Sequence, residues 1–296
     1  MSAAPGTAAG GANSAARPLA GKTVVATRPR EQAASLADAL EGLGAEVLLL
    51  PTIRIVARPR DDAVDGVLAR LAEYALVVFT SVNGVRTFFD YLDEAGAGPA
   101  ALAGATLAAI GPATAGALEE RGVACDVTPD DYVAEGLLEA LEARGVAPAG
   151  ARVLIPRARE ARSVLPDMLR ERGALVDVLP VYDTLPAEGL ALPVERVEGA
   201  DYIIFTSSST VRQFAALMEA AGPGAAARPL AARLSGARLC SIGPVTSATL
   251  ARLGLPVAVE AAEYTAAGLV AAIVADAGAR RRRRSQPPPT SARRAP

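Results

Sequence analysis

The chain alternates short apolar runs with longer segments in which apolar residues recur every three or four positions. The short runs are rich in Val, Leu and Ile and lack polar alternation, which is typical of strands buried on both faces. We predict such strands at residues 23–27, 46–50, 76–80, 106–110, 124–127, 152–156, 176–179, 202–206, 238–242 and 257–260. The longer segments predict amphipathic helices at 31–43, 83–94, 112–121, 134–143, 160–172, 209–220, 244–253 and 266–276. This alternation predicts an α/β fold with parallel sheets.

The order of these elements repeats along the chain. Three segments occur twice in the same order: 21–28 and 150–157, 76–81 and 202–207, and 110–114 and 242–246. A first unit, A, and a second unit, B, therefore follow each other as A-B-A-B, which indicates an internal duplication with a long period.

The content of histidine and cysteine excludes several classes of catalytic and metal site. The chain contains no histidine, which removes the commonest general base and excludes a serine–histidine hydrolase. Cys125 and Cys240 are the only cysteines, so we predict two free thiols and no metal site. The first twenty residues do not resemble a signal peptide, and no apolar run reaches the roughly 20 residues that cross a bilayer. We therefore expect a cytoplasmic protein that does not enter a membrane.

Charge is unevenly distributed. The final segment holds Arg280–Arg284, Arg293 and Arg294 and no acid, whereas the rest of the chain carries 23 basic against 32 acidic residues. An acidic body argues against a nucleic-acid-binding surface. Residues 1–18 and 278–296 are predicted to be disordered tails. A regulatory protein that touches RNA or membrane through its basic tail stays open as an alternative.

Hydroxyl and amide side chains follow two predicted strands at equivalent positions. The first copy has Thr80, Ser81 and Asn83, and the second has Thr206, Ser207 and Ser208. Such residues cap helices, and the free N–H groups of a helix start also attract carboxylates or phosphates. Both interpretations, simple capping and anion binding, remain open from the residues alone.

Two further pairs lie where predicted strands end. Glycine and threonine flank a helix-starting proline in each copy, as Gly111 and Thr114 and as Gly243 and Thr246. An arginine follows the first strand of each unit A, Arg28 in one copy and Arg157 in the other. Arginine there suits carboxylate binding, and an ordinary surface arginine is the alternative. Neither copy has a phosphate-cradling lysine or glycine-rich loop, so a nucleotide site has no support.

The ordered set of these motifs resembles the uroporphyrinogen-III synthase family. The set runs Thr-Arg-Pro, Phe-Thr-Ser-x-Asn-Gly, Ile-Gly-Pro-x-Thr, Pro-Arg, Pro-Val-Tyr-x-Thr, Phe-Thr-Ser-Ser and Ile-Gly-Pro-x-Thr, and covers residues 21 to about 276. The resemblance implies two similar flavodoxin-like domains, 19–52 plus 183–277 and 55–180. It also implies a two-stranded linker near residues 51–53 and 180–182.

The resemblance further implies a reaction. Hydroxymethylbilane would lose water, invert its last pyrrole ring through a spiro intermediate and close the macrocycle, with no metal or organic cofactor. Tyr182 matches a family tyrosine in the cleft that is proposed to assist water loss, and the capping, glycine and threonine residues above would line that cleft. A monomer is expected. A non-enzymatic two-domain anion-binding module is the alternative from the residues themselves.

Overall fold

The computed structural model describes residues 17–146, 148–189, 193–221 and 228–285. These residues form two compact units. The first unit takes the described residues up to Ile53 together with those from Ala187 onward, and the second unit is Arg54–Pro186.

The strands and helices are numbered along the chain. The strands are β1 (Thr23–Ala26), β2 (Glu46–Leu49), β3 (Ile53–Ala57), β4 (Leu76–Phe79), β5 (Thr106–Ala109), β6 (Arg152–Ala158), β7 (Leu175–Pro186), β8 (Tyr202–Phe205), β9 (Arg238–Ser241) and β10 (Val257–Glu260). The helices are α1 (Arg30–Gly42), α2 (Asp62–Leu68), α3 (Val82–Glu94), α4 (Pro112–Glu120), α5 (Ala134–Ala143), α6 (Val164–Glu171), α7 (Val194–Glu198), α8 (Ser208–Ala220), α9 (Leu230–Arg233), α10 (Pro244–Arg252) and α11 (Ala266–Ser285).

Each unit contains one sheet in which parallel pairing dominates. The first sheet has the order β10-β9-β8-β1-β2, and the second has the order β3-β7-β6-β4-β5. In the first sheet, β1 pairs parallel with β2 and β8, and β9 pairs parallel with β8 and β10. In the second, β4 pairs parallel with β5 and β6, and β6 pairs parallel with β7. The predicted α/β class with parallel sheets is confirmed.

The two sheets share a strand order. Read from β2, the first sheet has the flavodoxin-like order 2-1-3-4-5 within its unit. In the second sheet, β7, β6, β4 and β5 repeat the first four places of that order, so β6 and β7 take the places of β1 and β2. The carboxyl ends of the paired strands consequently meet at one edge of each sheet.

Helices cover both faces of each sheet, so the central strands are fully buried. All four residues of β4 and of β8 are at most 2% exposed. The strand-ending phenylalanines pack edge-on against the following helix in both units, with ring centroids 5.8 Å apart for Phe79–Phe88 and 5.2 Å apart for Phe205–Phe214. An aromatic pair of this geometry contributes about 0.5–1.5 kcal/mol beyond the buried area.

One predicted strand is absent from the described chain. Residues 124–127 contribute only an isolated bridge between Val127 and Ala108. The carboxylate Oδ2 of Asp126 accepts a 2.7 Å hydrogen bond from the backbone N of Leu107, so a side chain occupies a place that a backbone carbonyl would take in a strand ladder. The prediction of a strand there was wrong. The Asp126 carboxylate competes with backbone carbonyls for an N–H group, and the pattern of apolar residues in the sequence does not reveal such competition.

The last helix is longer than the sequence predicts. The predicted helix 266–276 continues as α11 to Ser285, so the tail expected from residue 278 is helical over its first part. Asp276 anchors the helix by accepting hydrogen bonds from Tyr202 Oη at 3.0 Å and from Arg238 Nη2 at 2.6 Å. Arginines in its last turns also interact favourably with the helix dipole. The remainder of both predicted tails, 1–16 and 286–296, lies outside the described residues.

Two equivalent glycines are required by close packing in the first turn of a helix. A Cβ at Gly136 of α5 would overlap the backbone carbonyl oxygen of Asp131, and one at Gly268 of α11 would overlap that of Glu263. Because the colliding atom belongs to the backbone, a side-chain rotation cannot relieve the overlap. The chain before each helix must therefore pass directly against these glycines.

We expect Gly136→Ala to lower the free energy of unfolding by about 1–3 kcal/mol, because the main chain must shift to admit the methyl group. Gly116→Ala is the matched control, since Gly116 lies within α4 and its Cβ would meet no atom within 4 Å. That control should stabilise the protein by about 0.5–1 kcal/mol through helix propensity. Urea unfolding followed by circular dichroism measures both. Equal effects of the two changes would contradict the packing argument.

Candidate functional site

The second unit brings two predicted site residues into contact. Ser81 follows β4 and caps α3, where its Oγ accepts a 3.0 Å hydrogen bond from the backbone N of Gly84. Tyr182 lies in β7 beside Ala158, the last residue of β6. The two side chains share a hydrogen bond of 3.0 Å between Ser81 Oγ and Tyr182 Oη. Asn83 also hydrogen-bonds the phenol, so three predicted residues form one polar cluster at the carboxyl edge of the sheet.

The phenol of Tyr182 is held neutral by its surroundings. Tyr182 is only 7% exposed, and burial raises the pKa of its hydroxyl above the usual value of 10. Hydrogen bonds with Ser81 and Asn83 and the charge of Arg157 act in the opposite direction and are outweighed. A buried phenol with a raised pKa is protonated at neutral pH and can donate a hydrogen bond or a proton.

Gly84 fixes the position of this cluster. A Cβ on Gly84 would lie 2.9 Å from the carbonyl oxygen of Pro156 in β6 and 3.2 Å from Ser81 Oγ. The first turn of α3 therefore packs directly on β6, which sets the direction of the Ser81 hydroxyl. Asn83-Gly84 stands in the motif that carries the family resemblance, but only the structure shows why the second residue is glycine.

In the first unit the equivalent hydroxyls bond to one another. Ser207 caps α8, and Thr210 bonds back to it in a reciprocal capping box. Ser207 Oγ also lies 2.9 Å from Ser209 Oγ. Ser208 Oγ donates to the carbonyl of Val245 at 3.3 Å. The capping interpretation thus holds for Ser81 and Ser207, while the phenol contact is specific to Ser81.

Two threonines at the strand ends keep their hydroxyls available. Thr80 follows β4 and Thr206 follows β8, and both are partly exposed. Neither side chain bonds to any other residue in the described part of the chain. Their hydroxyls are therefore unengaged within the described part of the chain.

The Gly-Pro motifs are packed against tyrosines. A Cβ at Gly111 would lie 3.3 Å from the ring of Tyr132, and one at Gly243 would lie 3.1 Å from the ring of Tyr264. Each glycine caps its helix with an extended backbone, so the close ring explains the residue type better than the backbone angles do. The tyrosine stands at the same distance along the chain in both copies, a signal from which this packing could have been predicted.

The threonines of the same motifs point into the protein. Thr114 is 5% exposed and Thr246 is 3% exposed. Both backbone N–H groups bond within the first turn, to the carbonyls of Gly111 and Gly243 at 3.0 and 3.1 Å. Their side chains lie in the interior of each unit, so a ligand at these helix starts would meet backbone atoms first.

The two predicted arginines are largely withdrawn from solvent. Arg157 is 8% exposed, and its Nη1 and Nη2 donate to the carbonyls of Arg162 and Ala161 at 2.9 and 2.5 Å. These carbonyls are thereby unavailable to a helix, and the helix predicted from residue 160 begins only at Val164. Arg28 donates through Nη2 to Gln32 Oε1 at 3.3 Å. Burial lowers the pKa of both guanidinium groups, which remain charged.

Metal-binding clusters, paired or reactive thiols and membrane-spanning helices in the described part of the chain would each indicate a different function. No group of three or more acidic or cysteine side chains there could hold a metal ion. Cys125 and Cys240 are free thiols, and burial raises the pKa of Cys240. Among the described helices, none is both long and apolar enough to span a bilayer.

Sequence comparisons identify relatives along most of the chain. A family model described as uroporphyrinogen-III synthase HemD matches residues 34–271. A uroporphyrinogen-III synthase from Synechococcus elongatus is 34% identical over 88% of this chain and 97% of its own length. A putative uroporphyrinogen-III synthase from Methanothermobacter thermautotrophicus is 33% identical over 85% and 97%. A longer porphyrin biosynthesis protein HemD from Ruminiclostridium josui is 33% identical over 69% of this chain, which spans 40% of that relative.

Structural comparison supports the same fold. A mutant uroporphyrinogen III synthase from Thermus thermophilus superposes with a TM-score of 0.59 at 21% identity, covering 88% of this chain and 99% of the other. The enzyme from Helicobacter pylori gives a TM-score of 0.54 at 18% identity, covering 86% and 99%. The family model covers well over half of the chain, and two relatives exceed 30% identity along nearly their full length. The chain therefore belongs to the uroporphyrinogen-III synthase family, lyases of tetrapyrrole biosynthesis.

Proposed function

We propose that this protein converts hydroxymethylbilane into uroporphyrinogen III and that Tyr182 assists departure of the substrate hydroxyl. The observation that supports this role is the buried phenol of Tyr182, hydrogen-bonded to Ser81 Oγ at 3.0 Å at the carboxyl edge of the sheet. Open parallel sheets bind ligands at that edge. The family membership supplies the reaction, and the cluster supplies a proton donor suited to its first step.

The chemistry requires little from the protein beyond positioning and one donor. The nitrogen lone pair of the pyrrole that bears the hydroxymethyl group pushes out the hydroxyl, which leaves as water when a proton reaches it. A phenol with a raised pKa is protonated at neutral pH and can share that proton with the leaving oxygen. The proton that pyrrole closure later releases can return to the phenolate. Ser81 and Asn83 hold the phenol in one orientation throughout.

We propose that each unit offers contacts for substrate carboxylates at its own sheet edge. Thr80 and Thr206 offer hydroxyls that no other described residue engages. The helix starts at Ser81 and Ser207, and at Gly111 and Gly243, offer backbone N–H groups and the positive end of a helix dipole. A carboxylate at either edge would gain from several such weak contacts. We propose that the enzyme acts as a monomer in the cytoplasm, where free thiols such as Cys240 stay reduced.

We expect Tyr182→Phe to lower kcat for uroporphyrinogen III by about tenfold or more, because it removes the donor and keeps the ring. Tyr74→Phe is the matched control. Tyr74 is also buried in the same unit, but its hydroxyl donates to Asp177 near the start of β7, away from the carboxyl edge. Turnover is measured by resolving the type III and type I isomers by chromatography. Full turnover of Tyr182→Phe, or an equal loss in both variants, would exclude the catalytic role.

We also expect catalysis without a metal or organic cofactor, because pyrrole-driven loss of water needs neither. Exhaustive dialysis against a chelator should leave the rate of type III isomer formation unchanged. A loss of activity that one metal ion restores would contradict this expectation. Product in the isomer ratio of the spontaneous reaction would instead favour the alternative, an anion-binding module without catalysis.

A further inference from the structure

An arginine that the motif comparison did not select is bonded through its backbone to the backbone of Tyr182. Arg159 is the first residue after β6, and its backbone N donates a 3.0 Å hydrogen bond to the carbonyl of Tyr182. Its side chain is 56% exposed. It therefore begins at the same sheet edge as the phenol and extends into solvent there.

A carboxylate fixes the position of this exposed side chain. Arg159 Nε lies 3.0 Å from Oδ1 of Asp183, and Nη2 donates to Oδ2 at 3.1 Å. A two-point contact of this kind holds the guanidinium plane in one orientation, whereas an unpaired arginine samples many rotamers. Asp183 follows Tyr182 in β7, so the same strand positions the phenol and the carboxylate that orients Arg159.

The contact with Asp183 leaves much of the guanidinium unoccupied. A guanidinium carries five N–H donors, and Asp183 engages the Nε side of the group. Within the described chain, no acceptor bonds Nη1. The Nη1–Nη2 edge thus keeps the fork that matches a second carboxylate.

The local charge also favours an incoming anion. Asp183 Oδ2 lies 3.5 Å from Nη1 of a second arginine, Arg58. One carboxylate therefore serves two guanidinium groups, and the cluster of Arg58, Arg159 and Asp183 retains a net positive charge. An anion that binds Arg159 would complete the charge balance of the cluster without breaking the pair with Asp183.

Arg157 has the opposite environment, although the sequence motif points to it. Its two Nη groups are committed to backbone carbonyls at residues 161 and 162, and its side chain is almost fully buried. A substrate carboxylate could reach it only by displacing those carbonyls. Its bonds instead shape the turn between β6 and α6, the segment that begins with Arg159.

We infer that Arg159 binds a carboxylate of the substrate at the carboxyl edge of the second sheet, with Asp183 as the positioning residue and Arg157 as the support of the turn. The inference rests on the proposed function, since it takes the substrate to be a polycarboxylate. It assigns to the second unit a specific contact for one carboxylate group, at the sheet edge that also carries Tyr182.

The test compares KM and kcat of the full-length protein with those of Arg159→Ala. We expect KM for hydroxymethylbilane to rise about tenfold, the low end for a charged hydrogen-bonded contact because the site is exposed, with kcat within about threefold. Arg159→Lys should recover part of the loss, since it keeps the charge without the fork. Asp183→Asn should raise KM by a smaller factor, about threefold, because Arg159 stays charged but loses its fixed orientation.

Arg172→Ala is the matched control. Arg172 lies in the same unit and pairs with Glu142 through Nε at 3.0 Å, just past the end of α6 and remote from Tyr182. It should leave KM unchanged. An equal rise in KM for Arg172→Ala and Arg159→Ala would show a general effect of net charge and would overturn the inference. If Arg159→Ala unfolds at the assay temperature, Arg159→Gln keeps the side-chain length and serves in its place.

Binding of uroporphyrinogen III, measured calorimetrically under nitrogen, separates this inference from the proposed function. We expect its Kd to rise about tenfold in Arg159→Ala and to stay constant in Arg172→Ala. If the unaltered protein forms no excess of the type III isomer, the proposed function fails. If it does form that excess and Arg159→Ala leaves both KM and Kd unchanged, only the role of Arg159 is excluded.

Discussion

Parallel strands all end at the same edge of a sheet. Where helices cover both faces of the sheet, the chain first reaches solvent at that edge. Here β4 and β8 are buried along their whole length, so polar side chains first become possible at Thr80 and Thr206. Each buried strand is followed by a helix start that needs a cap, and Ser81 and Ser207 supply it. The same constraint therefore concentrates hydroxyls, free N–H groups and positive helix ends at that edge.

Glycines at this edge allow helix starts to pack closely against neighbouring segments, which defines the positions of nearby side chains. Gly84 allows α3 to rest on β6, and a Cβ there would crowd both the Pro156 carbonyl and the Ser81 hydroxyl that bonds to Tyr182. Gly111 and Gly243 admit the rings of tyrosines at the starts of α4 and α10. These glycines carry no chemistry, but each determines where a neighbouring functional group lies.

The two arginines Arg157 and Arg159 differ in burial and in their hydrogen-bond partners. Arg157 is buried, and a buried guanidinium must bond to the protein, which it does through two loop carbonyls. Arg159, two residues later, faces solvent and is oriented by Asp183. Arg157 still belongs to β6, whereas Arg159 is the first residue after that strand, so two positions along the chain separate the two roles.

The sequence alone determined the fold class, most of the strands and helices, and the strand ends that carry the candidate site residues. It did so because fully buried strands and amphipathic helices leave strong local patterns and because the pattern occurs twice. The sequence motifs and the family resemblance also indicated Ser81, Asn83 and Tyr182 as separate candidates.

Only the tertiary structure decided that Ser81 and Tyr182 share a hydrogen bond, since 101 residues separate them in the chain. Likewise, only the tertiary structure decided that Arg157 is enclosed while Arg159 is exposed, that the Asp126 side chain bonds to β5 where a strand was predicted, and that α11 continues to Ser285. Burial and side-chain partners depend on contacts between distant segments, and no local pattern of hydrophobic and polar residues records them.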